Sequence, residues 1–210
     1  MILNKNNKTL LLLGSAFIFI ILILILIISN KDTVPKEVQV IEYLKNIKAY
    51  TCDVNIKTSN IKQNIEYKGM QKFSKKHGFL LELENGRTFK YDSENLYVND
   101  FANNEEYVIS SEFDDVLKYL FTGEFISLLY SNGDINYSLE DEQGSQYLAI
   151  EVRMPGNNKN INKGKLYVDI NTGIPKECHI LDDEGKEKVI CSYTNFVELK
   201  DEENFEFNER

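Results

Sequence analysis

The residues of this chain that could do chemistry are few, and their spacing matches no catalytic or metal-binding pattern. There are two histidines, His77 and His179, three cysteines, Cys52, Cys178 and Cys191, and 33 acidic residues. Neither Cys-x-x-Cys nor His-Glu-x-x-His occurs, so no structural zinc site and no zinc hydrolase is expected. A Gly-x-Ser-x-Gly nucleophile elbow and a phosphate-binding glycine loop are also missing. Adjacent carboxylates, the residue type a glycosidase pair requires, occur at Asp114-Asp115, Asp182-Asp183 and Glu202-Glu203. They fall at a helix start, a turn tip and the tail, where solvation accounts for them. The expectation is a chain without a catalytic, metal or cofactor site.

The cysteines are more informative. A hairpin turning about Glu184-Gly185 places Cys178 opposite Cys191 and Ile180 opposite Val189, on one apolar face. Two readings of that pair stay open. One is a disulfide, since directly opposed positions come close enough and the compartment argued below is not reducing. The other is two buried thiols packing as small apolar groups. Cys52, on the apolar phase of its own strand, reads as core. A reactive thiol would want an exposed, electropositive setting, which neither reading supplies.

Elements must hold these residues, and the first of them is not part of a globular domain. From Leu10 to Ile28 every residue but Ser15 is apolar and none is charged. Nineteen residues at about 1.5 Å each reach roughly the thickness of a bilayer's hydrocarbon core. The flank holds Lys5 and Lys8 and no acid, which puts the N-terminus in the cytoplasm. Ile27-Ile28-Ser29-Asn30-Lys31 offers no small-x-small cleavage site, and the first cysteine, Cys52, lies far past the apolar run. We therefore expect residues 1–9 as a cytoplasmic tail, 10–29 as an uncleaved transmembrane helix and 30–34 as a spacer. Residues 35–210 would form one extracytoplasmic domain of a single-pass cell-membrane protein. With Lys5 and Lys8 set aside, 22 basic residues face 33 acidic ones, a net charge of −11. Topology excludes a cytoplasmic nucleic-acid role, the charge argues against polyanions and anionic headgroups, and the domain is better suited to a basic protein partner or to standing free.

Within the domain a helix is expected over about 35–49, with Val34, Val38, Ile41, Leu44 and Ile47 as its apolar stripe. The period then changes to two: Tyr50, Cys52, Val54 and Ile56 alternate with polar residues. Further strands are expected near 64–73, 79–84, 87–91, 95–98 and 106–109. A second helical stretch follows Ser110-Ser111 and runs to about Tyr130, with Gly123 as its break. Strands return near 136–139, 147–154, 165–170, 176–181, 188–194 and 196–199. The fold class is α+β, mainly β. The order of elements implies a strongly curved antiparallel sheet of about eleven strands with helices covering its concave face, plus the N-terminal transmembrane helix. The interior would hold Val54, Ile56, Phe79, Leu81, Leu83, Leu117, Leu120, Phe121, Ile180 and Val189.

The stretch Leu166-Tyr167-Val168-Asp169-Ile170-Asn171-Thr172-Gly173-Ile174-Pro175 resembles the strand–Asp–x–x–Thr–Gly–x–Pro–strand turn of the LolA/LolB/RseB-like superfamily. Cys178-His179-Ile180-Leu181, Tyr193-Thr194-Asn195-Phe196 and Phe205-Glu206-Phe207 follow in family order, and the resemblance implies an open, half-barrel antiparallel sheet of about eleven strands with helices in the concave face. Within the superfamily, a short anchored form of this composition most resembles the clostridial spore-germination lipoproteins of the GerS type, although this chain lacks their lipidation cysteine. That resemblance implies a non-enzymatic accessory protein that binds a cortex N-acetylmuramoyl-L-alanine amidase needed for muramic-δ-lactam formation, at the forespore or mother-cell membrane. The superfamily also implies two alternatives: a lipid or lipoprotein carrier or sensor with an acyl-chain pocket between helices and sheet, and an RseB-like regulator of an anti-sigma factor.

Overall fold

The sheet in the computed structural model is continuous from one chain half to the other, and the reason lies in a single non-sequential pairing. The structure describes residues 34–59, 63–111, 115–131, 135–142, 144–156 and 158–199. The apolar run Leu10–Ile28 lies outside them; among the described residues no helix is long and apolar enough to cross a membrane. Helix α1 spans Lys36–Asn46. Strands β1 (Ala49–Ser59), β2 (Asn64–Ser74), β3 (Gly78–Leu83), β4 (Arg87–Tyr91), β5 (Asn95–Asp100) and β6 (Glu105–Ser110) follow. After helices α2 (Asp115–Tyr119) and α3 (Thr122–Ser131) come β7 (Ile135–Glu142), β8 (Ser145–Arg153), β9 (Lys163–Asp169), β10 (Pro175–Leu181) and β11 (Glu187–Glu198).

Every paired neighbour is antiparallel, and the order is β6-β5-β4-β3-β2-β1-β11-β10-β9-β8-β7. Two meanders thus meet at β1 and β11, and the sheet stays open, with β6 and β7 at opposite edges. Because β6 and β7 are consecutive in the chain, the link between them must cross a whole face. Helices α2 and α3 lie in that link.

Alternation sets which face they cover. In β1, Tyr50, Cys52, Val54 and Ile56 are buried while Asp53 and Lys57 are exposed; in β9, Leu166 and Val168 are buried between partly exposed neighbours. Each fully buried side chain of that size contributes about 1.5–3 kcal/mol. An aromatic row runs across the covered face from Tyr50 to Phe73, Phe79 and Tyr91, with centroids 5.3, 6.1 and 5.1 Å apart, and Phe121 stands 5.0 Å from Phe79.

Three expectations need correction. First, the buried residues of α1 are Val40 and Leu44, with Ile47 buried just past its end, whereas Val34 and Val38 are exposed. The helix turns the face that carries Tyr43 toward the β9–β10 turn, where the ring fills the space that a Cβ on Gly173 would take. Second, the helical stretch breaks at Leu120-Phe121, and Gly123 lies inside α3. A Cβ there would run into the Phe73 ring, so glycine is required for close approach rather than for a break. Third, the last two strands are one, β11. Its register against β1 shifts between Thr51 and Asp53, and Asn195 has φ 50° at that bulge, with its Nδ2 donating to Asp53 Oδ2 at 2.7 Å.

The turn that carries the family resemblance has a local cause. Asp169 Oδ1 accepts the backbone N–H groups of Asn171 and Thr172 at 2.9 and 3.0 Å, and Gly173 supplies φ 72°. Partial burial opposes ionisation of Asp169, but those two amides hold its carboxyl below the usual range.

Candidate functional site

The expected interior is brought together. Val54, Ile56, Phe79, Leu81, Leu120, Phe121, Ile180 and Val189 are buried in one apolar cluster, with Leu83 and Leu117 partly buried against it. Helix α3 seats Phe125 against the space above Gly164 and beside Met154, so helix and sheet meet in contact there. Two grooves of about 450 and 490 Å³ lie elsewhere. One is lined by Glu66, Lys68 and Glu84, the other by Lys57, Glu66 and Lys188 among others.

At the centre of that interior is a polar cluster that the hydrophobic pattern did not announce. The helix break exposes the carbonyl of Leu120 and the N–H of Thr122. Tyr50 Oη accepts the Thr122 N–H at 2.9 Å and donates toward Gln71 Oε1 at 3.4 Å. Gln71 Nε2 donates to the Leu120 carbonyl at 3.2 Å, and Tyr193 Oη donates to the same oxygen at 2.5 Å. Strands β1, β2 and β11 therefore supply the backbone partners that the break removed from the helices. Burial pushes both phenols well above their ordinary range, so they act as neutral hydrogen-bonding groups. The available signal was Gln71, an amide in an inward-facing strand phase.

The cysteine pair stands in the expected register: Cys178 faces Cys191, and Ile180 faces Val189. Both thiols are fully buried and free, as is Cys52. Cys178 Sγ points at the Tyr119 carbonyl, 3.8 Å away. Burial pushes the Cys178 thiol up to about 12 and lifts Cys52 and Cys191 well above the ordinary thiol range. All three are protonated near neutrality, which makes them weak nucleophiles.

The histidines do different things. His77 is exposed in the β2–β3 turn. His179, on the uncovered face, sits between Glu177 Oε2 at 2.9 Å and Glu187 Oε1 at 2.8 Å. Ser192 Oγ donates to Glu177 at 2.9 Å and not to the imidazole, so the geometry contains no serine–histidine pair there. Among the described residues no group of three or more His, Cys, Asp or Glu is disposed to hold a metal ion. The Asp182-Asp183 pair corrects one expectation. Asp182 is buried; Lys188 Nζ reaches its Oδ2 at 2.8 Å, and its Oδ1 accepts the N–H groups of Glu184 and Lys186. Asp182 therefore organises the β10–β11 turn. The Asp114 and Glu202-Glu203 acids lie outside the described residues.

The fold and interior define an open antiparallel sheet covered on one face by helices, the arrangement that the LolA/RseB-like resemblance implies. The chain belongs to the sporulation protein YdcC-like family, whose model matches residues 7–207. No curated protein matches it. Similar solved structures include an uncharacterized conserved protein from Thermus thermophilus, with 11% identity, TM-score 0.48, and 78% of this chain and 86% of that one covered. A lipoprotein-sorting protein domain from Vibrio parahaemolyticus is also similar, with 11% identity, TM-score 0.48, and coverage of 82% and 94%. A third is the GerS lipoprotein in its complex with the CwlD amidase from Clostridioides difficile, with 22% identity, TM-score 0.42, and coverage of 85% and 98%.

Proposed function

We propose that this chain is a membrane-tethered, non-enzymatic accessory protein of spore formation that binds and supports a cortex N-acetylmuramoyl-L-alanine amidase. The observation that carries the reading is its membership of a sporulation family across residues 7–207. The partner class comes from the resemblance to GerS-type proteins at Leu166–Pro175 and the segments that follow it. The apolar run Leu10–Ile28 is the tether, and the short spacer keeps the domain near the bilayer.

The interior supports a binding role on the outside of the molecule. Tyr50, Leu81, Leu120, Phe121, Ile150 and Leu166 on its inward side are packed to less than 2% exposure, and its other buried apolar side chains stay at or below 7%. An acyl chain would need that space, so the packing weighs against a carrier with a preformed pocket. Affinity capture of the full chain from sporulating cells tests the reading. The amidase should co-purify with it; acyl chains in the eluate without amidase would favour the carrier instead.

A further inference from the structure

The surface that such a partner would use can be read from the sheet's open edge at β6. All of its residues except Ile109 are exposed. Four large apolar side chains are exposed along it: Val108 with Tyr97 opposite it on β5 on one face, Tyr107 on the other face, and Phe101 in the connecting turn. The run Tyr107-Val108-Ile109 carries no lysine, proline or bulge, the devices that ordinarily blunt an edge.

The backbone phase fixes which groups the edge offers. Ser111 N–H donates to the Glu94 carbonyl at 3.0 Å. Inward and outward amides alternate along an antiparallel strand, so Ile109 and Tyr107 share that inward phase. Glu106 and Val108 therefore direct their N–H and C=O groups away from β5. Acids close both ends of this edge. Asp92 and Glu94 stand in the β4–β5 turn beside the Ser110 end, and Glu105 and Glu106 open the strand. The nearby Arg87 is turned to Asp100 at 2.7 Å, and Lys90 stands one strand further in, opposite Tyr97.

We propose that β6 is a docking edge for an extended segment of a protein partner, apolar at its centre and bearing Lys or Arg at both ends. The segment adds to the sheet beside β6 through backbone hydrogen bonds, with its basic ends against the two acidic ones. This inference rests on the partner-binding reading and specifies its surface. A second copy of the chain is the poorer occupant on charge. The other edge, β7, ends in Glu140-Asp141-Glu142, and an antiparallel β6 would bring its own acids to an acidic end.

The test uses the full chain in detergent micelles and two labelled synthetic peptides. Both have an alternating valine–threonine centre; one has Lys-Arg at each end and the other Glu-Glu. The basic peptide should bind saturably, and the acidic one at least tenfold more weakly. Val108→Pro removes an outward N–H and no ladder bond, so it should weaken the basic peptide at least tenfold with unchanged circular dichroism. Should that variant unfold, the double charge reversal Glu105→Lys with Glu106→Lys, at exposed positions, carries the test with the same expected loss. Unchanged affinity in the folded variants, no saturable binding of the basic peptide, or a dimer that Val108→Pro dissociates would overturn the proposal. Amidase capture separates the two readings. A Val108→Pro chain that captures amidase like the wild type sinks the edge and leaves the proposed function standing. A wild-type chain that captures none sinks the function, and the peptides then decide the edge alone.

Discussion

Tyr50 and Tyr193, on the adjacent strands β1 and β11, hold the two sides of one helix break: the first accepts the N–H of Thr122, the second donates to the carbonyl of Leu120. These strands form the one non-sequential pairing in the sheet, with Val54 opposite Tyr193. The joint between the two meanders is thus also the place where the sheet positions the helices. A straight helix would satisfy its own backbone; this one is broken at a point where the sheet presents partners.

The two tyrosines should not be equivalent. Removing the Tyr193 hydroxyl leaves the Leu120 carbonyl with Gln71 as donor, so Tyr193→Phe should cost about 0.5–1.5 kcal/mol. Tyr50→Phe leaves the buried Thr122 N–H without its acceptor and should cost about 1–3 kcal/mol. Urea denaturation of both variants measures the order, and an equal or reversed ranking would contradict this account of the break.

Gly123 should tolerate no side chain while Phe73 is present. Gly123→Ala should destabilise by about 1–3 kcal/mol through overpacking against the ring. Pairing it with Phe73→Leu should recover part of that loss, a coupling that a double-mutant cycle reads directly. Purely additive effects would mean that the glycine serves something else.

The thiols should be hidden and unpaired. A thiol reagent at neutral pH should react slowly with the folded chain and titrate three groups once it is denatured without reductant, because Cys52, Cys178 and Cys191 are buried and free. A single reactive group after denaturation would mean that Cys178 and Cys191 are joined.

Acid should weaken the β10–β11 turn. The Lys188 ammonium and then the Lys186 amide hold the Asp182 carboxyl below the ordinary carboxylate range. A carboxylate depressed in the folded state stabilises above its unfolded value, about 3.9, and that stabilisation fades as pH falls through the lower folded value. Asp182→Asn should therefore be less stable than the wild type at pH 7, with the gap closing below about pH 4. A gap that stays constant with pH would show that the charge is immaterial.

Much of this architecture was legible in the chain because strands write their burial every second residue. The inward phase of Tyr50, Cys52, Val54 and Ile56, the register that sets Cys178 against Cys191 and the Asp169–Gly173 turn follow from that alternation and from turn chemistry. Helix faces were less legible. Val38 fits the period of α1 as well as its buried residues do, and the neighbours of the helix, α3 and the β9–β10 turn, decide between them. The break at Leu120-Phe121 depends on Gln71 and on two tyrosine hydroxyls from elements distant in sequence, so no local pattern encodes it. The glycine at position 123 reads locally as a breaker and serves in fact as a seat for Phe73.

The central claim, that this chain supports a cortex amidase, is tested most directly by the peptidoglycan of spores lacking it. Muropeptide analysis of a deletion strain should show cortex depleted of muramic-δ-lactam, restored by the full chain. Normal δ-lactam in those spores would contradict the account.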